Sequence, residues 1–193
     1  MNELYPVFLK VNQLPILIVG GGHVGYEKLS LLIKNSPQAR VILVAKEISP
    51  KIRSLLFGRR HQVTLIERSF QLYDLEKKSF VIAATNNNSL NKYIWGEAKT
   101  RGIVVNVADT PMLCDFYLGS IVSKGDLKIA ISTNGKSPTF AKRLRQLLEH
   151  ILPDEIEDLL DNMYDFRQTL GVDFQRKVKI LNALTESLLE KSA

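Results

Sequence analysis

Ile16-Leu-Ile-Val-Gly20-Gly-Gly-His-Val-Gly25 decides how the rest of the chain is read. Four apolar residues, bounded by Pro15 and by Gly20-Gly21-Gly22, read as a buried strand of a parallel sheet. Val24, Leu31 and Leu32 then recur at helical spacing beside charged Glu27 and Lys28, which predicts a helix over Val24 to Lys34. Gly20 to Gly25 matches G-x-G-x-x-G, and here the motif follows a strand and opens a helix, the context in which it holds a dinucleotide. In that reading Gly20 admits the tight turn and Gly22 lets a pyrophosphate approach the backbone. Gly25 lets helix and strand pack closely. Free N–H groups and the positive end of the helix hold the phosphates. Gly21, His23 and Val24 complete the loop. The alternative is a glycine-rich turn that holds nothing.

The alternation continues on the C-terminal side. Val41 to Ala45 is a second predicted strand, and strand, helix, strand within this distance is a βαβ unit. Pro50 to Phe57 reads as a helix and Val63 to Ile66 as a strand. Phe80 to Ala84 is an apolar run that stops at the polar turn Thr85-Asn86-Asn87-Asn88. Leu90, Ile94 and Ala98 mark one face of a helix over Ser89 to Thr100, and Gly102 introduces a strand over Ile103 to Val107. The pattern is an α/β, Rossmann-type doubly wound parallel sheet. After Thr110 it changes. Ser120 to Ser123 and Leu127 to Ser132 flank Lys124-Gly125-Asp126 as a hairpin outside the parallel sheet. Ser137 at N-cap and Pro138 at N1 open a helix to about Leu152. Pro153 starts another, with Gly171 as its expected C-cap, and a last amphipathic helix covers Asp173 to Leu189. The expected division is a dinucleotide-binding domain over 1–113, a hairpin-and-helix region over 114–152, to which the resemblance given below assigns dimerisation and substrate binding, and a helical tail over 153–193.

Bulk properties narrow the function class. Of 193 residues, 45% are hydrophobic and 24% charged, as in an ordinary soluble domain rather than a disordered chain. Cys114 is the single cysteine, so neither an intramolecular disulfide nor a cysteine zinc site is expected, and a reducing cytoplasm fits. Met1 to Lys10 has no basic stretch followed by a long apolar run, so no signal peptide is expected. No apolar run approaches the ~20 residues of a membrane span. His23, His61 and His150 show no metal-ligand spacing, and no resident metal is expected. The net charge of +6 fits either solubility or an acidic partner. Too few aromatics interleave with the basic residues to favour nucleic acid.

Three sets of residues are candidates for chemistry. Glu47 lies where an acidic residue binds the ribose hydroxyls of NAD, while the preceding Lys46 could meet a 2′-phosphate; Glu47 favours NAD. Thr85, Asn86 and Asp109 end strands at the carboxyl edge where such sheets bind ligands. Asn106-Val-Ala-Asp109-Thr-Pro-Met-Leu-Cys114-Asp115-Phe116 brings carboxylates to that edge, with Asp109 either a general base or a cap for the following turn. Thr133-Asn134-Gly135-Lys136-Ser137 leads into a helix N-terminus as a ready anion site, followed by Lys142, Arg143 and Arg145.

Tyr5-Pro-Val-Phe-Leu, the Val-Gly-Gly-Gly-His-Val loop, Ala83-Ala-Thr-Asn, Val105-Asn-Val-Ala-Asp109-Thr-Pro and Ile131-Ser-Thr-Asn-Gly-Lys-Ser-Pro-Thr-Phe-Ala-Lys-Arg-Leu-Arg145 occur in that order. Together they resemble the precorrin-2 dehydrogenase module of siroheme synthase, over about residues 1 to 150. The resemblance implies NAD-dependent oxidation of precorrin-2 to sirohydrochlorin, in some members followed by insertion of ferrous iron to give siroheme. It implies a homodimer built through the hairpin and the helices after it. Asp109 matches the family aspartate implicated in both activities, and His23, Val24, Lys46 and Glu47 fall where members touch NAD. Thr133 falls where some members carry a serine that can be phosphorylated. Gly119 stands where proline is frequent, and Asn134 where glycine is. The methyltransferase domain of the fused enzymes is lacking, so acting alone this chain is not expected to make precorrin-2. Two other readings stay open: a chelatase without dehydrogenase activity, and a non-enzymatic NAD-sensing module, since fold alone does not specify function. Iron insertion without NAD would mark the first, NAD binding without tetrapyrrole binding the second.

Overall fold

The computed structural model describes residues 3–58 and 62–186. Its first unit, residues 1–120 with 132–141, is built on five parallel strands: β1 (Ile16–Val19), β2 (Val41–Ala45), β3 (Val63–Glu67), β4 (Phe80–Ala83) and β5 (Val104–Val107). Their order is β3-β2-β1-β4-β5. Ile16 pairs in register with Val41 on one side and Phe80 on the other, so β1 is central. Helices α1 (His23–Asn35), α2 (Pro50–Leu56) and α3 (Asn88–Thr100) make the crossovers.

Side-chain alternation explains why the strands read as unbroken apolar runs. Ile16, Ile18, Leu43 and Ile82 point to the face covered by Leu29 and Ile33 of α1 and Ile52 of α2. Leu17, Val19, Val81, Val105 and Val107 point to the other, against Ile94 and Ala98 of α3. With both faces covered there is no solvent side to carry polar residues. Each fully buried Leu or Ile contributes about 1.5–3 kcal/mol. Edge strand β3 carries exposed Thr64 and Glu67, and one buried position breaks the run: Asn106 of β5 is 5% exposed, in a register position that every other strand fills with an aliphatic residue.

The order turns back between β1 and β4, and the crevice beyond their carboxyl ends is where doubly wound sheets place ligands. Two short 3-10 turns escaped the sequence reading, Leu72–Leu75 and Pro111–Leu113. The first is fixed by Arg68, whose guanidinium grips the Asp74 carboxylate with both nitrogens at 2.6 and 2.8 Å. Burial raises the Asp74 pKa, but the Arg68 bond and the Gln71 N–H outweigh it and hold the carboxyl below its usual range.

The second unit comprises residues 121–131 and 142–193. It holds the antiparallel hairpin of β6 (Ser120–Lys124) and β7 (Leu127–Ile131), most of α4 (Pro138–Ile151), α5 (Ile156–Thr169) and α6 (Phe174–Thr185). Lys124 on the hairpin donates to the Leu152 carbonyl and pairs with Asp154, which ties β6 to the end of α4. Three expectations are corrected here. The helix after Pro153 begins only at Ile156. It ends at Thr169, with Leu170 as C-cap at φ −69°, and Gly171 does not adopt the left-handed conformation of a glycine cap. Asp173 is the cap of α6, its carboxylate accepting from the Arg176 N–H, and α6 ends at Thr185; residues 187–189, like His61, lie outside the described residues.

Candidate active site

The glycine loop is held by backbone touching backbone. Gly20 has φ +124°, donates its N–H to the Val44 carbonyl at 2.9 Å, and has no room for a Cβ because the Ala84 carbonyl occupies that space. A Cβ on Gly25 would overlap the carbonyl oxygen of Gly20, so the start of α1 lies directly on the end of β1. Gly21 is closed off by the Glu47 carbonyl. Gly22 is the exception. It is the N-cap of α1, and nothing stands within 4 Å of where its Cβ would be. No side chain caps α1, so among the described residues the N–H groups of its first turn, at His23 and Val24, are unspent. A backbone cradle open at Gly22 and uncapped beyond it fits a pyrophosphate.

Lys46 and Glu47 follow β2, both exposed. Glu67, at the end of β3, anchors their loop: its carboxylate accepts from the Ile48 N–H at 3.1 Å and from Arg53 at 2.6 Å. These two bonds, the Ile48 one first, hold the Glu67 carboxyl below its usual range. Its role was not read from the sequence, where it is one more charged residue at a strand end.

Past β4, Thr85 and Asn86 divide. Asn86 is exposed. The Thr85 hydroxyl donates to Oδ1 of buried Asn91 at 2.6 Å and accepts from the Asn87 N–H at 3.2 Å. Asn91 returns a bond to the Thr85 carbonyl at 2.9 Å. Thr85 thus shapes the β4–α3 turn, and its backbone N–H is tied to the same Asn91.

Asp109, two residues past β5, is exposed and has φ +57°, a left-handed conformation in which a side-chain-bearing residue is strained. It does not cap the next turn, which is capped at Thr110 without any side-chain bond. Among the described residues its carboxylate has no hydrogen-bond or ion-pair partner. Asp115 behaves oppositely. It pairs with Lys99 at 2.7 Å and accepts from the Val105 N–H at 3.0 Å, so it is a structural clasp rather than a free carboxylate.

The loop Thr133–Ser137 belongs to the same unit as Asp109. Asn134 and Gly135 are both left-handed, φ +52° and +75°; asparagine, like aspartate at position 109, adopts this at a cost that glycine does not incur. The Ser137 hydroxyl accepts from the Phe140 N–H and caps α4, and the Thr133 hydroxyl accepts from the Ser137 N–H at 3.1 Å. Lys136 is exposed. Arg143 lies in the second unit, bonded to Gln146, and Arg145 is paired with Glu149. Among the described residues no three His, Cys, Asp or Glu side chains gather to hold a metal, and no helix is long and apolar enough to cross a membrane. An open depression of about 490 Å³ between α1 and α2, lined by Tyr26, Pro50, Lys51, Ser54 and Leu55, is separate from these residues.

Known proteins resemble this chain over most of its length. The siroheme synthase of Vesicomyosocius okutanii is 38% identical over 91% of this chain, and that of a Psychrobacter species 35% identical over 92%. The chain spans 37% and 38% of the length of those two proteins. The solved structure of SirC, a precorrin-2 dehydrogenase, superposes with a TM-score of 0.73 at 25% identity, covering 94% of this chain and 89% of SirC. The model of the sirohaem biosynthesis protein central region matches residues 124–151. The NAD(P)-binding family model matches residues 7–120, the whole of the parallel sheet with its glycine loop, and the chain belongs to that family.

Proposed function

We propose that this chain is an NAD-dependent precorrin-2 dehydrogenase that forms sirohydrochlorin, acting in the cytoplasm. One observation carries the reading: an unpartnered carboxylate, Asp109, held in a strained backbone just past β5, in the unit whose glycine loop is open at Gly22. Bound NAD supplies a hydride acceptor. The N–H groups of His23 and Val24 would hold its pyrophosphate beside Gly22, and Glu47, with Lys46 next to it, would receive the ribose hydroxyls. Asp109 removes the proton that leaves as the tetrapyrrole is oxidised, which its lack of any partner leaves it free to do. The Thr133–Ser137 loop, with Lys136, meets the carboxylates of the substrate.

A second activity uses the same carboxylate. Insertion of ferrous iron into sirohydrochlorin requires a group that accepts pyrrole protons, and an unpaired Asp109 is suited to that role, with iron as substrate rather than resident metal. The exposed apolar side chains Leu147 and Ile151 of α4 and Leu159 and Tyr164 of α5 support a homodimer. The test is NADH formation by the purified chain given NAD and precorrin-2 without oxygen. NADH appearing with sirohydrochlorin is expected; NAD binding without NADH would leave a chelatase or a sensing module.

A further inference from the structure

The mechanism above uses Asp109 but not the side chains beneath it. β5 places Asn106 in the core with its Oδ1 unpartnered, a standing cost to stability that an aliphatic residue would not incur. Its Nδ2 is fully used. It donates to the Phe116 carbonyl at 2.8 Å and to the Cys114 sulfur at 3.4 Å. Cys114 in turn directs its S–H to two carbonyls, Val107 at 3.1 Å and Thr110 at 3.3 Å. Those carbonyls stand on either side of Asp109 in sequence. The Thr110 N–H closes the same turn onto the Val107 carbonyl at 3.2 Å. Burial, the largest influence, pushes the Cys114 thiol up, so it keeps its proton and stays a donor.

We infer that Asn106 and Cys114 are positioning residues that clamp the Val107–Thr110 turn and keep Asp109 in its left-handed, partnerless state. A strained residue persists only where its surroundings over-determine it. Here the determinants are one thiol bridging both ends of the turn and one buried amide anchoring that thiol to β5. Asp115 closes the far end of the loop by bonding both the N–H and the carbonyl of Val105. The inference rests on the proposed dehydrogenase reading for its catalytic meaning, while the clamp itself is a statement about the turn.

The test uses the full chain and two readouts. Without oxygen, turnover with NAD and precorrin-2 is measured for wild type, C114A, C114S and N106L, along with NAD affinity and melting temperature. C114A and N106L are expected to lower kcat about tenfold, since small misplacements of a reacting group are costly, with KM for NAD and NAD affinity unchanged. C114S, which retains a donor, is expected to restore most of the loss. By NMR, the Thr110 amide should exchange with deuterium about tenfold faster in C114A than in wild type, with the Leu43 amide of the sheet unchanged. Unaltered kcat and unaltered Thr110 exchange in C114A would overturn the clamp, as would a loss that C114S fails to recover. If wild type itself makes no NADH, the dehydrogenase reading fails, and Thr110 exchange still decides whether the clamp exists.

Discussion

Two loops end strands at the carboxyl edge of one sheet, and they are built in opposite ways. The loop after β1 is shaped by missing side chains: Gly20 and Gly25 bring carbonyls to where a Cβ would stand. The loop after β5 is shaped by side chains, with Asn106, Cys114 and Asp115 each spending polar groups on its backbone. The first presents N–H groups and needs a close, smooth approach. The second presents a single carboxylate and needs it in one place. A surface that binds phosphate by its backbone is best made by removing atoms, and a surface that aims one group is best made by adding them.

Substitutions separate the two designs. Gly25→Val places a branched side chain on the Gly20 carbonyl, and is expected to cost about 3–5 kcal/mol or prevent folding altogether, read by thermal melting and yield. Asp109→Ala should leave folding intact yet lower turnover by about 10²–10⁴-fold with NAD affinity unchanged; equal turnover would remove Asp109 from the chemistry. Gly22→Ala sharpens the comparison, because its Cβ meets nothing in the protein and its φ is −83°. It should melt like wild type but bind NAD about tenfold more weakly, measured by titration, since only a ligand occupies that space. Asp109→Gly relieves the left-handed strain and should raise stability by about 1 kcal/mol while lowering turnover as far as Asp109→Ala does.

The loop after β1 was legible in the sequence and the loop after β5 was legible only in part, for a physical reason. Glycines announce close backbone approach wherever they occur in a strand–helix context, so Gly20, Gly22 and Gly25 could be given roles from spacing alone. Asp109 could be placed at the crevice by counting from β5. Nothing local says that Asp109 has no partner while Asp115 has two, because Lys99 lies sixteen residues away on α3. Thr85 stood at the right edge, but its hydroxyl is taken by Asn91, a helix residue whose polarity gave no sign of burial. Asn106 did carry a signal, a polar residue in an otherwise apolar strand. Gly171 shows the reverse case: a glycine in the right place for a cap that the backbone does not use as one.

The contacts of the glycine loop have a mechanical side. Ala84 at the end of β4 bears on Gly20, and Gly20 bears on Gly25 at the start of α1, each through main-chain atoms. Side chains rotate and absorb small displacements, but carbonyls fixed in a sheet do not. Any movement of the Thr85 turn would therefore pass to the first turn of α1 almost undamped. The glycine loop is as stiff as the sheet behind it, and under the proposed function adjustment to a bulky substrate falls to other segments.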